Sequence, residues 1–474
     1  MANSKRNYDA VVVGSGPNGL AAAVRLAQAG KSIAVYEAEQ TIGGGARSAE
    51  LTLPGFVHDI CSAVHPMAVS SPFFRTLPLD RFGLRWIQPD APLAHPFDDG
   101  TAAVLARSLD ESLMQFGEDA DAVRSLIRPL VKSWEQLAEA VLGPPRIPRH
   151  PLALAHFSLN AFRPAMKLAR SKFKTERARA VFAGMAAHSM LPLEQVLSGA
   201  FGLLMWATCH SVGWPFAAGG SQSLSNALAD LLRSLGGEIF IGHRVKILSE
   251  LPQARAVLCD ITPRQFLQIA GGKISERERR ALQKYRYGPG VFKADWALDG
   301  PAPWNASECA RAGTVHIGGT LEEIAESEYA PMAGKIVERP FVLFAQPSLF
   351  DSTRAPAGKH TAWAYCHVPN GSGVDMLERI ENQVERFASG FKKRILARSV
   401  MTTAQMESHN ANLIGGDIGG GSAEMSQLFL RPSARLYSTS LPGVFLCSSS
   451  TPPGPGVHGM CGYFAAQRAL RHCF

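Results

Sequence analysis

Tyr8-Asp9-Ala10-Val11-Val12-Val13 runs straight into Gly14-Ser15-Gly16-Pro17-Asn18-Gly19. An Ala-rich stretch ending at Gly30 follows, then a second apolar run, Ser32-Ile33-Ala34-Val35-Tyr36, closed by Glu37. The pattern predicts a buried strand, a glycine turn, a helix and a second strand, the context in which G-x-G-x-x-G holds a dinucleotide. Gly14 permits the tight turn, Gly16 a close backbone approach to a pyrophosphate, and Gly19 close packing of helix on sheet. The N–H groups opening the helix, from Ser15 to Asn18, suit a phosphate pair. Glu37, with Ala38 beside it, falls about 20 residues after the turn, where a carboxylate binds ribose hydroxyls and disfavours a 2′-phosphate. The acid argues against NADP in this site, whereas FAD and NAD both fit.

The next residues separate those two. Thr41-Ile42-Gly43-Gly44-Gly45-Ala46-Arg47 sets a second glycine cluster and a cation just past the ribose acid. NAD has no phosphate left to place there. FAD, bound extended, runs onward past this loop, where the backbone of Gly44, Gly45 and Ala46, with Arg47 and Ser48, can serve pyrophosphate and ribityl oxygens. The sequence reads as a flavoprotein.

Composition sets outer limits. A chain of 474 residues exceeds what one core organises, so two domains are expected. Hydrophobic content of 46% and charged content of 19% exclude disorder as the main state. The polar stretch Met1 to Asn7 shows no secretory signal, and Val196 to Cys209 is too short and interrupted to span a bilayer, so a cytoplasmic protein is expected. The net charge of +8 comes with no nucleic-acid recognition motif, so no nucleic-acid partner is expected. The eight cysteines are scattered without a C-x-x-C pair, which speaks against a redox dithiol and a structural zinc site; no metal is expected.

Along the chain the cofactor domain is discontinuous, comprising 1–69, 217–275 and 405–474, with 70–216 and 276–404 forming a substrate domain. Gly55 to Pro66 reads as a crossing loop beside the flavin. Ser70 to Phe216 reads as mainly helical, carrying Phe157, Phe162, Met166, Phe173, Phe182, Met185, Met190, Phe201, Met205, Trp206, Trp214 and Phe216. At helical spacing such a stripe is core or the lining of a lipophilic pocket. Lys167, Arg170, Lys174 and Arg177 share one face of an expected helix, either a solvated face or a peripheral contact with an anionic membrane beside the pocket opening. Gly219-Gly220-Ser221 precedes a helix through Leu235. Strands are expected at 238–241, 245–248 and 256–259, and in the substrate domain at 291–298, 314–317, 341–346 and 361–367. At the C-terminus, Gly443 to Leu446 runs out into Cys447-Ser448-Ser449-Ser450 and Gly454-Pro455-Gly456-Val457-His458-Gly459, followed by a last helix whose N-terminus can face the flavin.

Together these motifs resemble the phytoene desaturase and carotenoid isomerase-like branch of FAD-dependent oxidoreductases, which overlaps the amine-oxidase type of FAD fold. The resemblance covers essentially the whole chain. It implies an α/β fold with a Rossmann-type FAD domain and an α+β substrate domain. It also implies FAD-binding roles for the fingerprint residues, Glu37, Gly44, Arg47, Val245 and the helix start at Gly456, Val457, His458 and Met460. Where many relatives carry a glycine with a small or acidic residue, this chain has Ser448-Ser449-Ser450, and Ser450 is a candidate contact through its hydroxyl or N–H. His65 and His458, like His58, lie in segments bordering the flavin and are candidate acid–base groups. His188 and His210 fall in the helical part and read as ordinary. The reaction expected is desaturation, saturation or isomerisation of carbon–carbon bonds in a lipophilic small molecule. The alternatives are a flavin amine oxidase and, from another class, a non-catalytic flavin-binding interaction protein.

Overall fold

The computed structural model describes residues 7–474, so the polar leader Met1 to Arg6 lies outside the described residues. Two sheets organise the chain. The first is parallel and five-stranded, in the order Val444–Leu446, Ala254–Cys259, Tyr8–Val13, Ile33–Tyr36, Glu238–Phe240. Val11 pairs with Val257 on one side and Ala34 on the other. Its strands are near-continuous apolar runs because helices cover both faces. Pro17–Ala27 packs against the C-terminal helix Met460–Cys473 and against Gln222–Ser234. Its Ala-rich sequence allows that closeness, with Ala21, Ala22 and Ala23 fully buried.

The second sheet has seven strands, in the order Ile395–Met401, Gly290–Leu298, His360–Val368, Val342–Ala345, Ala312–Ile317, Ala91–Pro96, Ala102–Leu105. Neighbours are antiparallel except Ala312–Ile317 with Ala91–Pro96. One face closes over a core of Trp296, Phe344 and Phe391 beneath the Leu377–Phe387 helix. The other face looks toward the parallel sheet and a layer of helices drawn from 120–211.

The α/β class and all four strands expected in the substrate sheet are present. Several readings need correction. The stretch from Ser70 to Phe216 is not helical throughout: it contains the hairpin Ala91–Pro96 and Ala102–Leu105, which completes the second sheet. Pro92 and Pro96 stand near the two ends of their strand, where missing donors cost little but hide the strand from a reader. Ile395–Met401 is a further edge strand whose alternation is broken by Arg398 and Ser399. Residues 245–248 form no strand but lead into a single turn at Leu248–Glu250. The crossing loop at 55–66 begins with a short ribbon, Ser48–Glu50 against Val57–Asp59.

The basic segment is two helices rather than one, Ala165–Lys172 and Glu176–Ala187, parted at Phe173 to Thr175. Its cations are engaged locally. Arg170 pairs with Glu322 at 3.1 Å, Lys174 with Glu118 at 3.4 Å, and Arg177 donates to Ala102 O at 2.7 Å.

Candidate active site

A cavity of about 800 Å³ begins at the glycine turn and continues between the two sheets into the helical layer. At its first end Gly14 takes a positive φ of 98° at the close of the first strand. A Cβ on Gly19 would stand 2.2 Å from Gly14 O, so the helix can start only with glycine there. A Cβ on Gly16 would come 2.7 Å from Asp260 Oδ2. Asp260, at the end of the Ala254–Cys259 strand, accepts from Gly19 N–H at 2.8 Å. Burial, opposed by that hydrogen bond and helped by Glu37, pushes its carboxyl up to about 7.

Glu37 closes the second strand as expected. Its Oε2 accepts from Ser15 N–H at 2.9 Å and Ser15 Oγ at 2.5 Å, and Oε1 accepts from Glu39 N–H at 2.9 Å. These bonds hold the carboxylate in place at the cavity wall with Ala38, His243 and Val245 beside it. Gly14 to Asn18 line the same end, and Asn18 Oδ1 is buried without a partner.

Further along, Gly44, Gly45 and Arg47 form the wall. The buried Arg47 guanidinium donates to Gly44 O at 2.8 Å and His409 O at 3.1 Å, and burial lowers its pKa. Opposite lie Cys61 to Met67 and Gly456 to His458. His65 Nε2 sits 2.8 Å from Ser221 Oγ, whose single hydrogen goes to Ser62 O. His65 therefore donates from Nε2, and its Nδ1 is bare, buried and unpaired. His458 is arranged the other way: its Nδ1 accepts from Met460 N–H at 3.0 Å, capping the last helix. Burial pushes both histidines down to about 4, so both are neutral at pH 7.

Not every candidate residue reaches the cavity. Gly19 and Ala46 lie behind the wall, and Met460 contributes its N–H to His458 rather than to the cavity. Ser450 is turned away, because its hydroxyl donates to Gly420 O at 2.6 Å; Ser448 and Ser449 form the wall instead. His58 is enclosed behind the wall, with Nε2 2.9 Å from Thr52 Oγ1 and Nδ1 3.5 Å from Asp295. His188, read as ordinary, lines the cavity, whereas His210 bonds Ala106 O at 3.0 Å and is ordinary.

Two groups of residues escaped the sequence reading. Asn410 to Leu413 and Asp417 to Ser422 line the cavity beside the glycine turn. Asp417 shapes this loop by accepting from Gly288 N–H at 2.9 Å and Gly419 N–H at 2.7 Å. The glycine run 419–421 was the available signal. The second group is a buried charge cluster under the cavity floor. Lys293 pairs with Asp295, and Arg354 donates to Asp59 at 2.7 Å and to Val57 O at 3.0 Å. Ser48 Oγ and Ser221 N–H complete Asp59 at 2.7 and 2.8 Å. The cluster joins the ribbon, the second sheet and the Ser221 turn, so it fixes the cavity floor across three separated stretches of chain. These residues lie far apart in sequence, and no spacing announces them.

The far half of the cavity is apolar. Phe157, Phe162, Met190, Phe201, Met205 and Trp214 line it from the helical layer and its connecting loops, and Trp363 and Tyr365 stack at 5.5 Å on the sheet side. Trp206, by contrast, is core: its ring packs on Phe116, Phe173 and Phe182 at 5.5, 6.1 and 6.3 Å. Arg146, Arg149 and His150 line the cavity, whereas no residue of the Lys167 to Arg179 segment does.

The first half of the cavity fits FAD. It is lined in sequence by a helix N-terminus, an acid held for ribose, a second glycine loop and a capped helix start, and Asn18 Oδ1 is left unpaired there. The family description of an NAD(P)-binding Rossmann-like domain matches residues 12–77. Pyridine nucleotide-disulfide oxidoreductase domain-containing protein 2 of Mus musculus is 25% identical over 98% of this chain and 94% of its own length. A neurosporene-forming phytoene desaturase of Rhodobacter capsulatus is 24% identical over 96% and 92% of the two chains. A putrescine oxidase structure superposes with a TM-score of 0.63 at 17% identity, covering 98% of this chain and 99% of that one. All eight cysteines are free, so the disulfide in the first relative's name has no counterpart here. The chain is an FAD-dependent oxidoreductase, similar over nearly its whole length to proteins of the phytoene desaturase-like branch.

Proposed function

We propose that the protein changes the saturation or geometry of carbon–carbon bonds in a lipophilic small molecule. The observation that carries this reading is the continuity of the cavity: the cofactor half opens directly into a chamber walled by Phe157, Phe201, Met205, Trp214 and Trp363. Such walls stabilise a hydrocarbon-like ligand by roughly 25 cal/mol per Å² buried and offer little to a small amine. When bound, FAD supplies two-electron acceptance or donation. The chain's own part is to hold the ligand, exclude water and manage a proton. His65 is the acid–base group favoured by its bare Nδ1, whereas His458, its Nδ1 engaged by Met460, serves to set the helix start at the cofactor. The two-domain division at 1–69, 217–275 and 405–474 against the rest belongs to the same proposal, as does entry of the ligand from a membrane surface at the exposed helix 151–161.

The test compares anaerobic flavin reduction by polyenes and other lipophiles with reduction by primary and secondary amines, in the wild type and in Phe201→Ala. Reduction or tight binding by lipophiles, altered in Phe201→Ala, is expected. Reduction by amines with no lipophile bound would replace this reading with amine oxidation.

A further inference from the structure

Beyond the cofactor end, His188 and Thr314 set polar atoms among the apolar and aromatic side chains of the chamber wall. His188, which ends the Glu176–Ala187 helix, lies on this wall with its Nε2 2.9 Å from Nε2 of His316. His316 belongs to the strand Ala312–Ile317, and Thr314, two residues earlier on the same strand face, also lines the chamber. Thr314 is 5% exposed and its Oγ1 is buried with no partner. Trp214 packs edge-on against His188 at 5.3 Å and lies 5.9 Å from His316, which fixes the pair.

The hydrogen positions follow from the packing. Burial pushes His188 down to about 3, with His367 adding to the effect, and holds His316 well below its ordinary value, so both rings are neutral. A neutral pair in this contact places one hydrogen between the two Nε2 atoms. His316 Nδ1 is enclosed without a partner against Gly184, where a Cβ would come within 2.6 Å. An orphaned buried N–H is rarer than an orphaned acceptor, and a glycine α-hydrogen suits a bare nitrogen. His316 therefore keeps Nδ1 bare and donates from Nε2 to His188. His188 must then carry its own hydrogen on Nδ1, which bonds to no protein group and is open to the chamber.

We propose that His188 Nδ1–H and the Thr314 hydroxyl form a polar subsite that selects lipophiles bearing a carbonyl oxygen, as aldehyde, ketone or carboxylate. The proposal rests on the lipophilic-substrate reading above and narrows it. His188 and Thr314 are specificity-determining groups; the bond chemistry takes place elsewhere on the ligand, at the cofactor end. A pure hydrocarbon would leave both groups unpaired, and an ammonium group would meet the His188 donor.

The test uses three C20 polyenes of one skeleton: retinal, retinoic acid and the corresponding hydrocarbon. Each is titrated into the FAD-loaded protein, with binding read from quenching of tryptophan fluorescence. Retinal or retinoic acid should bind roughly tenfold more tightly than the hydrocarbon, as one or two hydrogen bonds allow. His188→Phe should abolish the difference, and His188→Asn, which keeps a donor near the Nδ1 position, should restore part of it. Thr314→Val, a milder change, should reduce the preference about threefold. Equal binding of all three polyenes, or a preference that survives both His188→Phe and Thr314→Val, would overturn the subsite and leave the lipophile reading standing. Failure of all three to bind, with amines reducing the flavin, would overturn both.

Discussion

Asp260 brings a carboxyl beneath the dinucleotide turn, against Gly14, Gly16 and Gly19, and its charge is costly there. The unfolded chain ionises it near 3.8, whereas the folded chain keeps it protonated up to about 7. Between those values the folded state holds the extra proton, so stability is lost as pH rises through the window, on the order of 4 kcal/mol if the full shift is expressed. Asp260→Asn can still accept from Gly19 N–H and removes that loss. The variant should melt above the wild type at pH 8 and alongside it near pH 4; a gap of equal size at both would show that the carboxyl titrates normally. Gly19→Ala should fail at any pH, because its Cβ would meet Gly14 O at 2.2 Å. Purified Gly19→Ala that kept stoichiometric FAD would contradict the packing described. The glycines were readable because their spacing is local. Asp260 was not, since its partner Gly19 lies 241 residues away.

Among the elements, the helices of 157–216 divide their large side chains between core and cavity, and only three-dimensional packing makes the division. Trp206 and Phe201 stand on the same helix, Ser198–Ser211, five residues apart and on different sides. Trp206→Ala should therefore cost about 3–5 kcal/mol of stability, as for a buried aromatic, with ligand preference unchanged. Phe201→Ala should shift ligand preference with a smaller change in melting temperature. Thermal melts and ligand titrations of the two variants check this, and the reverse pattern would exchange their assignments. The strand Val291 to Leu298 of the second sheet was legible from the partial alternation of its apolar residues. The hairpin at 91–105 was not, because Pro92, Pro96 and four alanines give it neither alternation nor β propensity. The same limit applies to His188: nothing in its helix marks it, and its partner His316 comes from a strand 128 residues on.

At the scale of the whole molecule, the apolar chamber is backed by a stretch of chain that is itself apolar outside. Helix Pro151–Ala161 turns Leu154 and Phe157 to the cavity while Leu152 and Leu159 stand 86% and 73% exposed, and neighbouring Ile147 is 93% exposed. A helix apolar on both faces at the surface of a protein needs a second apolar medium. Among the described residues no helix is long and apolar enough to cross a membrane, so the contact proposed here is insertion of side chains at the surface. Each Leu or Ile so buried contributes about 1.5–3 kcal/mol, and each nearby cation such as Arg149 about 1 kcal/mol on an anionic surface. Three apolar side chains should therefore hold the protein on neutral vesicles, with anionic vesicles binding it more tightly and with a salt-sensitive increment. Ile147→Ser, Leu152→Ser and Leu159→Ser combined should release it from both, with FAD content and melting temperature unchanged because these side chains lie outside the core. Changing Lys167 and Arg170 to Gln should matter little, since Arg170 is paired with Glu322 and neither residue lines the cavity. Co-sedimentation with the two vesicle types decides the matter. Wild-type protein left in the supernatant with both, or a triple variant that loses a dimer on gel filtration instead, would show that this surface serves another purpose and that the ligand enters from solution.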